Sequence, residues 1–385
     1  MSSDLHRHAY LRRELGVLSA FIRKNIVMLI AALAAVVTMF FVPPDEAYLE
    51  YFDFKTLTCL FCVLAVVCAL KNISFFYLLA RKCVELFKNA RLCVLAIVYI
   101  TFIGSMLIAN DMALLTFLPL GFFVLTATDK RKYMIFTFIM QNIAANLGGM
   151  LTPFGNPQNL YLYTKFGIQA GEFMGIMAVP FCLSVLLITL CCIFFVKPEP
   201  LTLPPQRVRL PMGRAIVYLV LFALSIVIVF RIIPYQIGLI IIPIVLLCMD
   251  PKALLAVDYA LLFTFVFFFI VSGNMARIEP VRELFSLLLD KNTLLFSALS
   301  CQVISNVPSA ILLSQFTENY AHLLIGVNIG GVGTLISSLA SLITFREYAK
   351  QNPGKTRRYL LAFTLFNLFF FLVLTGAMLL WTLWV

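Results

Sequence analysis

Long apolar runs alternate with short polar punctuation along this chain, and the lengths of the runs predict its elements. A helix rises 1.5 Å per residue, so about 20 apolar residues cross the hydrocarbon layer of a bilayer. The runs at 25–42, 56–70, 92–108, 112–127, 133–163, 173–196, 215–233, 237–249, 259–271, 292–316, 323–344 and 359–384 predict an all-α polytopic membrane protein. Two stretches follow another pattern. In 71–91, Arg81, Lys82 and Lys88 oppose Phe75, Phe76, Leu78 and Leu79; in 276–290, Arg277, Glu279, Arg282 and Glu283 oppose Val281, Leu284, Phe285 and Leu288. Both predict amphipathic helices lying along the interface.

The run 133–163 is broken at its centre by Asn146-Leu-Gly-Gly-Met-Leu-Thr-Pro-Phe-Gly-Asn-Pro-Gln-Asn159. Proline removes an N–H and blocks helix propagation, while glycine adopts angles a helix cannot use. Lipid cannot satisfy the freed backbone groups, so such a break belongs inside protein or along a wet cavity. The break recurs as Asn328-Ile-Gly-Gly-Val-Gly-Thr-Leu-Ile-Ser-Ser-Leu-Ala-Ser341. Asn146 falls on Asn328, Gly148 and Gly149 on Gly330 and Gly331, Thr152 on Thr334, and Gly155 and Asn156 on Ser337 and Ser338. Upstream of each copy, an apolar run is interrupted by Ala109-Asn110-Asp111 or by Ser305-Asn306-Val-Pro-Ser. These interruptions predict the tips of two re-entrant hairpins.

Sidedness turns the duplication into a topology. Most of the 29 Lys and Arg fall in loops that the threading assigns to the cytoplasm, as the positive-inside rule predicts. Each half then reads span, span, surface helix, hairpin, broken helix, span, and the halves start from opposite sides. The expected organisation is a cytoplasmic segment (1–24), a first inverted repeat (25–196), a linker and linking span (197–236) and a second inverted repeat (237–385), with the C-terminus outside. The expected location is a plasma membrane of bacterial type. Many secondary transporters are built this way, with broken helices around a site at the bilayer midplane.

Composition narrows the function. With 62% hydrophobic and 12% charged residues, the chain lies far from soluble usage. The net charge of +11 sits in loops between spans, which argues for membrane orientation and against nucleic acid. The ten cysteines lie mostly in apolar runs and read as small core residues. No phosphate-cradling glycine loop is present, so no organic cofactor is implied, and no span carries a catalytic cluster of the kind an enzyme needs.

The chemistry belongs to the four interruptions. Half-helix starts present N–H groups carrying roughly half a positive charge, which attract anions; half-helix ends present carbonyls that suit a cation. Asn110, Asp111, Thr152, Asn156, Ser305, Asn306, Thr334, Ser337 and Ser338 are the expected substrate-binding residues. Asn110, Asp111, Asn146, Gly148, Gly149, Asn306, Asn328, Gly330 and Gly331 are the expected ligands of a sodium ion. Asp111 is the carboxylate placed at membrane depth, where burial costs about 2.5–3.5 kcal/mol on insertion scales, and it marks an ion or proton site. A carboxylate beside an anion site needs a sodium ion or proton to neutralise it, so coupling is expected.

At these residues the chain resembles the ion transporter superfamily, which includes divalent-anion/sodium symporters, citrate–metal transporters, arsenite permeases and sodium/proton antiporters. Asn110-Asp111-Met-Ala-Leu-Leu-Thr, Gly149-Met-Leu-Thr-Pro-Phe-Gly-Asn-Pro-Gln-Asn159 and Ser305-Asn306-Val-Pro-Ser carry the likeness. The divalent-anion branch has Ser-Asn-Thr at its tips; here only the Asn is kept at both tips, and Asp after the first Asn is more like the arsenite-permease and citrate-like branches. The resemblance implies a scaffold, a mobile transport domain holding both hairpins, elevator-type motion and a homodimer. The expectation is a secondary transporter for a small, citrate-like anion driven by sodium or protons. Arsenite efflux or sodium/proton exchange centred on Asp111 is the alternative.

Overall fold

The computed structural model describes residues 25–201, 210–352 and 354–383; the expected cytoplasmic segment 1–24 and most of the Pro-rich linker lie outside the described residues. Its helices are α1 (Ile26–Phe41), α2 (Phe54–Asn72), α3 (Phe75–Glu85), α4 (Ala90–Ile108), α5 (Asn110–Ala127), α6 (Met134–Gly148), α7 (Pro157–Lys165) and α8 (Ala170–Phe195). After α9 (Met212–Val229) come α10 (Tyr235–Met249), the short α11 (Pro251–Leu255), α12 (Tyr259–Arg277), α13 (Glu279–Ile304), α14 (Asn306–Leu313), α15 (Tyr320–Ile329), α16 (Leu339–Gln351) and α17 (Thr356–Trp381). The chain is an all-α polytopic membrane protein. Among the described residues, nine helical segments are long and apolar enough to cross a bilayer, and α1, α10 and α15 are shorter apolar helices.

The same devices shape the chain before and after α9. Asp53 accepts a hydrogen bond from the Thr56 N–H (2.9 Å) to cap α2, and Asp258 accepts from Leu261 (3.0 Å) to cap α12. Asn89 accepts from Leu92 (2.9 Å) at the start of α4, and Asn292 accepts from Leu295 (2.8 Å) inside α13. Such caps satisfy N–H groups that a helix start leaves open, worth about 1 kcal/mol each. Asn292 leaves helical angles (φ −166°, ψ 93°), so α13 is the expected surface helix and hairpin arm joined across a kink. The expected amphipathic stretch 276–290 begins later, because α12 continues through Arg277.

Each hairpin turns on one residue, where the pattern suggested an interruption of three residues in the first and five in the second. Ala109 (φ 64°, ψ 153°) joins α4 to α5, and Ser305 (φ 74°, ψ 159°) joins α13 to α14. Those angles belong almost entirely to glycine, and a side chain held there costs about 1–3 kcal/mol. Two non-glycine residues in the same strained region, one residue before each hairpin asparagine, mark the turns as built for position.

Burial places the core. Of the span that includes α6, 89% is buried, against 33% for α8, α9 and α13, which leave broad apolar faces for lipid. α4 and α5 pack on α6, and the arm within α13 packs on α14 and α15. Gly148 lies so close to α4 that a Cβ there would stand 2.2 Å from the Phe102 carbonyl oxygen.

Candidate functional site

Both broken segments stop at a double glycine and restart at a polar cap. α6 ends at Gly148, a short 3₁₀ turn spans Gly149–Leu151, and α7 restarts at Pro157 behind Asn156. α15 ends at Ile329 and α16 restarts behind Ser338, whose hydroxyl accepts from the Ala340 N–H (3.1 Å). Gly333, at φ +129° and pressed against Gln302, keeps a glycine-only conformation in the second break.

Each hairpin asparagine orients itself. Asn110 Oδ1 accepts from the Asp111 N–H and Asn306 Oδ1 from the Val307 N–H, both at 2.9 Å. With the oxygen held by the chain, the amide Nδ2 of each must point away from its own helix. Behind each tip, a threonine of the break grips the hairpin's first arm. Thr152 Oγ1 donates to the Met106 carbonyl (2.7 Å) and Thr334 Oγ1 to the Gln302 carbonyl (3.1 Å), each four residues before the tip asparagine.

The tips and breaks meet through amides. Asn110 Nδ2 donates to Asn146 Oδ1 (3.2 Å), and Asn156 Nδ2 bridges the Asn146 carbonyl (3.2 Å) and Asn328 Oδ1 (3.3 Å). Asn328 also receives Gln158 Nε2 (3.4 Å) and donates to Asn159 Oδ1 (2.6 Å) and the Leu324 carbonyl (2.8 Å). On the other side, the Asn306 N–H donates to the Ser337 carbonyl (2.9 Å), and Ser305 Oγ reaches the same carbonyl (3.3 Å). Ser337 Oγ donates to the Gly331 carbonyl (3.0 Å). A Cβ on Gly331 would stand 3.1 Å from Asn306 Nδ2 and 3.5 Å from Asn146 Oδ1, so the second tip and the first break face one glycine.

The starts of α5, α7, α14 and α16 all border this cluster, and no Lys or Arg lies in the four motifs. Asn110, Asn146, Asn156, Asn306, Asn328, Ser337 and Ser338 are all buried. Asp111, Thr152 and Ser305 are half-buried, and Thr334 is exposed. The cluster gathers Asn110, Asn146, Asn156, Asn306, Asn328, Gly331 and Ser337. Gly148 and Gly330 instead pack against hairpin arms, at Phe102 and Cys301. Gly149 packs within its own break, against Asn156 and Gly155.

With that geometry in place, comparison with known proteins identifies the chain: residues 15–322 match the family described as citrate transporter. The protein belongs to the citrate transporter family. An uncharacterized transporter of Methanocaldococcus jannaschii is 32% identical over 303 residues, covering 76% of this chain and 81% of that protein. The inner membrane protein YbiR of Escherichia coli is 29% identical over 323 residues, 80% of this chain and 83% of its own length. A transporter of Dictyostelium discoideum named arsB is 28% identical over 113 residues, 29% of this chain and 20% of that protein. The citrate transporter family and these relatives make the chain an integral membrane transporter, and not an enzyme.

Several residues of this citrate transporter family member join the site without having been singled out. Gln158 and Asn159 close on Asn328, and Gln302 anchors the second break through the Thr334 N–H (2.8 Å) and the Gly330 carbonyl (2.9 Å). One helical turn from Asn146, Asn142 Nδ2 faces Ser341 Oγ (3.3 Å) and Asn367 Oδ1 (3.4 Å), and its Oδ1 receives Thr344 Oγ1 (3.4 Å). The signal was present for Asn142, Asn159 and Gln302: an amide three or four positions from a motif asparagine, the spacing of one helical turn.

A separate cavity of about 500 Å³ opens between the 3₁₀ turn Glu46–Tyr51, α2, α7 and α12; Lys55, Lys165 and Tyr161 lie in its wall.

Proposed function

We propose that the protein is a secondary active transporter that moves a small, citrate-like di- or tricarboxylate, coupled to sodium or protons, through a site formed where the two hairpin tips meet the two helix breaks. One observation carries this reading. Four helix starts converge on buried amides and hydroxyls with no basic side chain among them, an arrangement that holds a negative charge by dipoles and needs a cation as companion. Asp111 supplies the carboxylate for that cation. The duplicated caps, turns and threonine grips support inverted repeats related by a pseudo-two-fold axis in the membrane plane. In this reading the tips are re-entrant, the site sits near the midplane, and the hairpins move with their broken helices against the remaining spans. The N-terminus is cytoplasmic and the C-terminus outside, and a homodimer is the expected assembly.

The family match names citrate, and that is the first substrate to test. The likeness to arsB over part of the chain, together with the unpartnered Asp111 Oδ1, favours a second reading: oxyanion efflux or sodium/proton exchange. Proteoliposomes under imposed sodium or proton gradients separate the two. Labelled citrate accumulates under one of these gradients if the first reading is correct. Arsenite movement, or sodium/proton exchange with no citrate uptake, contradicts it.

A further inference from the structure

Basic residues near the membrane surface are used in two ways in this chain. Beside the first hairpin the protein engages them itself: Lys130 and Lys132 meet Glu199, and Arg91 Nε donates to the Val196 carbonyl (2.7 Å). The corner between α16 and α17 differs. Lys350, Lys355, Arg357 and Arg358 are all exposed, and no hydrogen bond or ion pair joins their side chains to another group among the described residues. Glu347 is the only acid from Leu339 to Trp381, and its carboxylate accepts from Gln351 Nε2 (3.0 Å). The positive-inside rule asks for cations on one side of the membrane, but not for four without partners at one corner.

Their place in the fold makes the crowding costly. α17 has no acid in its first turn and no side-chain cap, so Lys355, Arg357 and Arg358 add to the positive end of a helix dipole. The turn between α7 and α8 carries no charge from Phe166 to Gln169, and α8 opens with Glu172, the sign that the dipole favours. An anion at the α16–α17 corner relieves the repulsion among its cations.

The surface below the corner says which kind of anion. Leu361, Leu365, Leu368 and Leu372 follow Arg357 at helical spacing along one face and are 44–69% exposed. Tyr359, Phe363, Phe370 and Leu374 take the other face and are buried. From Leu361 to Leu372 the stripe runs about 16 Å, close to half of the ~30 Å hydrocarbon layer. A soluble anion would use the cations alone, whereas a phospholipid uses cations and stripe together. Clusters of this size at the end of a spanning helix attract anionic headgroups.

We propose that the α16–α17 corner binds an anionic phospholipid, its phosphate among Lys350, Lys355, Arg357 and Arg358 and an acyl chain along Leu361, Leu365, Leu368 and Leu372. The Tyr348 and Tyr359 rings stack at 4.3 Å and join the end of α16 to the start of α17. The lipid therefore anchors the helix that restarts the second break. This inference goes beyond the transport reading and does not depend on which solute is carried.

Thermal melts of the purified full-length protein in detergent test it, with no transported solute present. Phosphatidylglycerol is expected to raise the melting midpoint. Phosphatidylcholine with the same acyl chains, and glycerol phosphate without chains, are expected to leave it in place. Arg357→Gln combined with Arg358→Gln is expected to raise the phosphatidylglycerol concentration needed about tenfold or more. Lys82→Gln, which removes an exposed cation on α3, is expected to leave that concentration unchanged. Should the double variant fail to fold, Lys350→Gln with Lys355→Gln reads the same corner from its other side, with the same expected loss. An equal response to phosphatidylcholine would make the corner an ordinary lipid-facing surface, and an equal response to glycerol phosphate a site for soluble anions. Either result overturns the proposal, as does an undiminished phosphatidylglycerol response in the corner variants.

Discussion

At the first hairpin turn, Asn110 gives its amide to Asn146; at the second, Asn306 keeps its amide while Asn328 is drawn away by the opposite break. Backbone geometry does not explain the difference. Both turns hold a strained residue at φ near +70°, both asparagines cap the next N–H at 2.9 Å, and both threonines grip a carbonyl four residues back. What differs is the side chains after each break: Asn156, Gln158 and Asn159 in the first, Ser338, Ala340 and Ser341 in the second. The longer amides reach Asn328, and the shorter residues do not occupy Asn146 in return. The two turns thus share a backbone while a few side chains give their asparagines different partners.

The comparison is most exposed at Asn328. Asn328→Leu leaves Gln158 Nε2 and Asn159 Oδ1 unpaired and Asn156 Nδ2 with the Asn146 carbonyl alone, and at about 1–3 kcal/mol for each unpaired group the expected loss is about 4 kcal/mol. Asn142→Leu is the matching control, because its counterpart in the second half is already Leu324. Its three side-chain contacts are long, at 3.3–3.4 Å, so about 1 kcal/mol is expected. Thermal melts of the purified protein rank the two, and equal losses would break the asymmetry.

The paired glycines come next. A Cβ on Gly148 meets the Phe102 carbonyl at 2.2 Å, whereas one on Gly330 meets the Cys301 side chain at 2.7 Å. Backbone cannot yield as a side chain can, so Gly148→Ala should cost about 3 kcal/mol and Gly330→Ala about 1 kcal/mol. Chemical denaturation in detergent measures the difference. At the turns, Ala109→Gly relieves strain and is expected to stabilise by about 1 kcal/mol, whereas Ser305→Gly also loses the hydroxyl contact to the Ser337 carbonyl (3.3 Å) and is expected to be close to neutral. Destabilisation by Ala109→Gly would show that the side chain there does more than fill a turn.

The smallest effect lies outside the site, where Glu199 ties the segment after α8 to the first hairpin. Its carboxylate meets Lys132, Lys130 (2.9 Å) and Tyr133 (3.0 Å), while its carbonyl accepts from the Ala90 N–H (2.7 Å). The hydrogen bonds from Lys132 and Lys130 hold its pKa down at about 2, against an ordinary 4.5. A lowered carboxylate pKa stabilises the fold above the ordinary value, and that contribution fades as pH falls from about 4.5 towards 2. A melt series over that range should show a slight acid-dependent loss in the parent that is missing in Glu199→Gln.

The apolar runs and the double-glycine breaks made the helices and the repeated order of elements legible before any coordinates. Asn146, Asn156, Asn306 and Asn328 were legible too, because polar residues flanked by glycine or proline in an apolar run stand out. Which of them pair was not, since the reach of Asn159 to Asn328 crosses 169 positions and depends on how α7 meets α15. The one-residue turns were also hidden: nothing in Ala109 or Ser305 announces a glycine-like backbone. The helix start at Asn292 was legible as the first residue of the run 292–316, and there the chain kinks within one continuous helix.

A density map of the protein with citrate and sodium tests the account most directly. It should show the anion and its cation where the two hairpin tips meet the two helix breaks. Citrate seated instead in the cavity walled by Lys55 and Lys165, with the space at Gly331 closed, would contradict it.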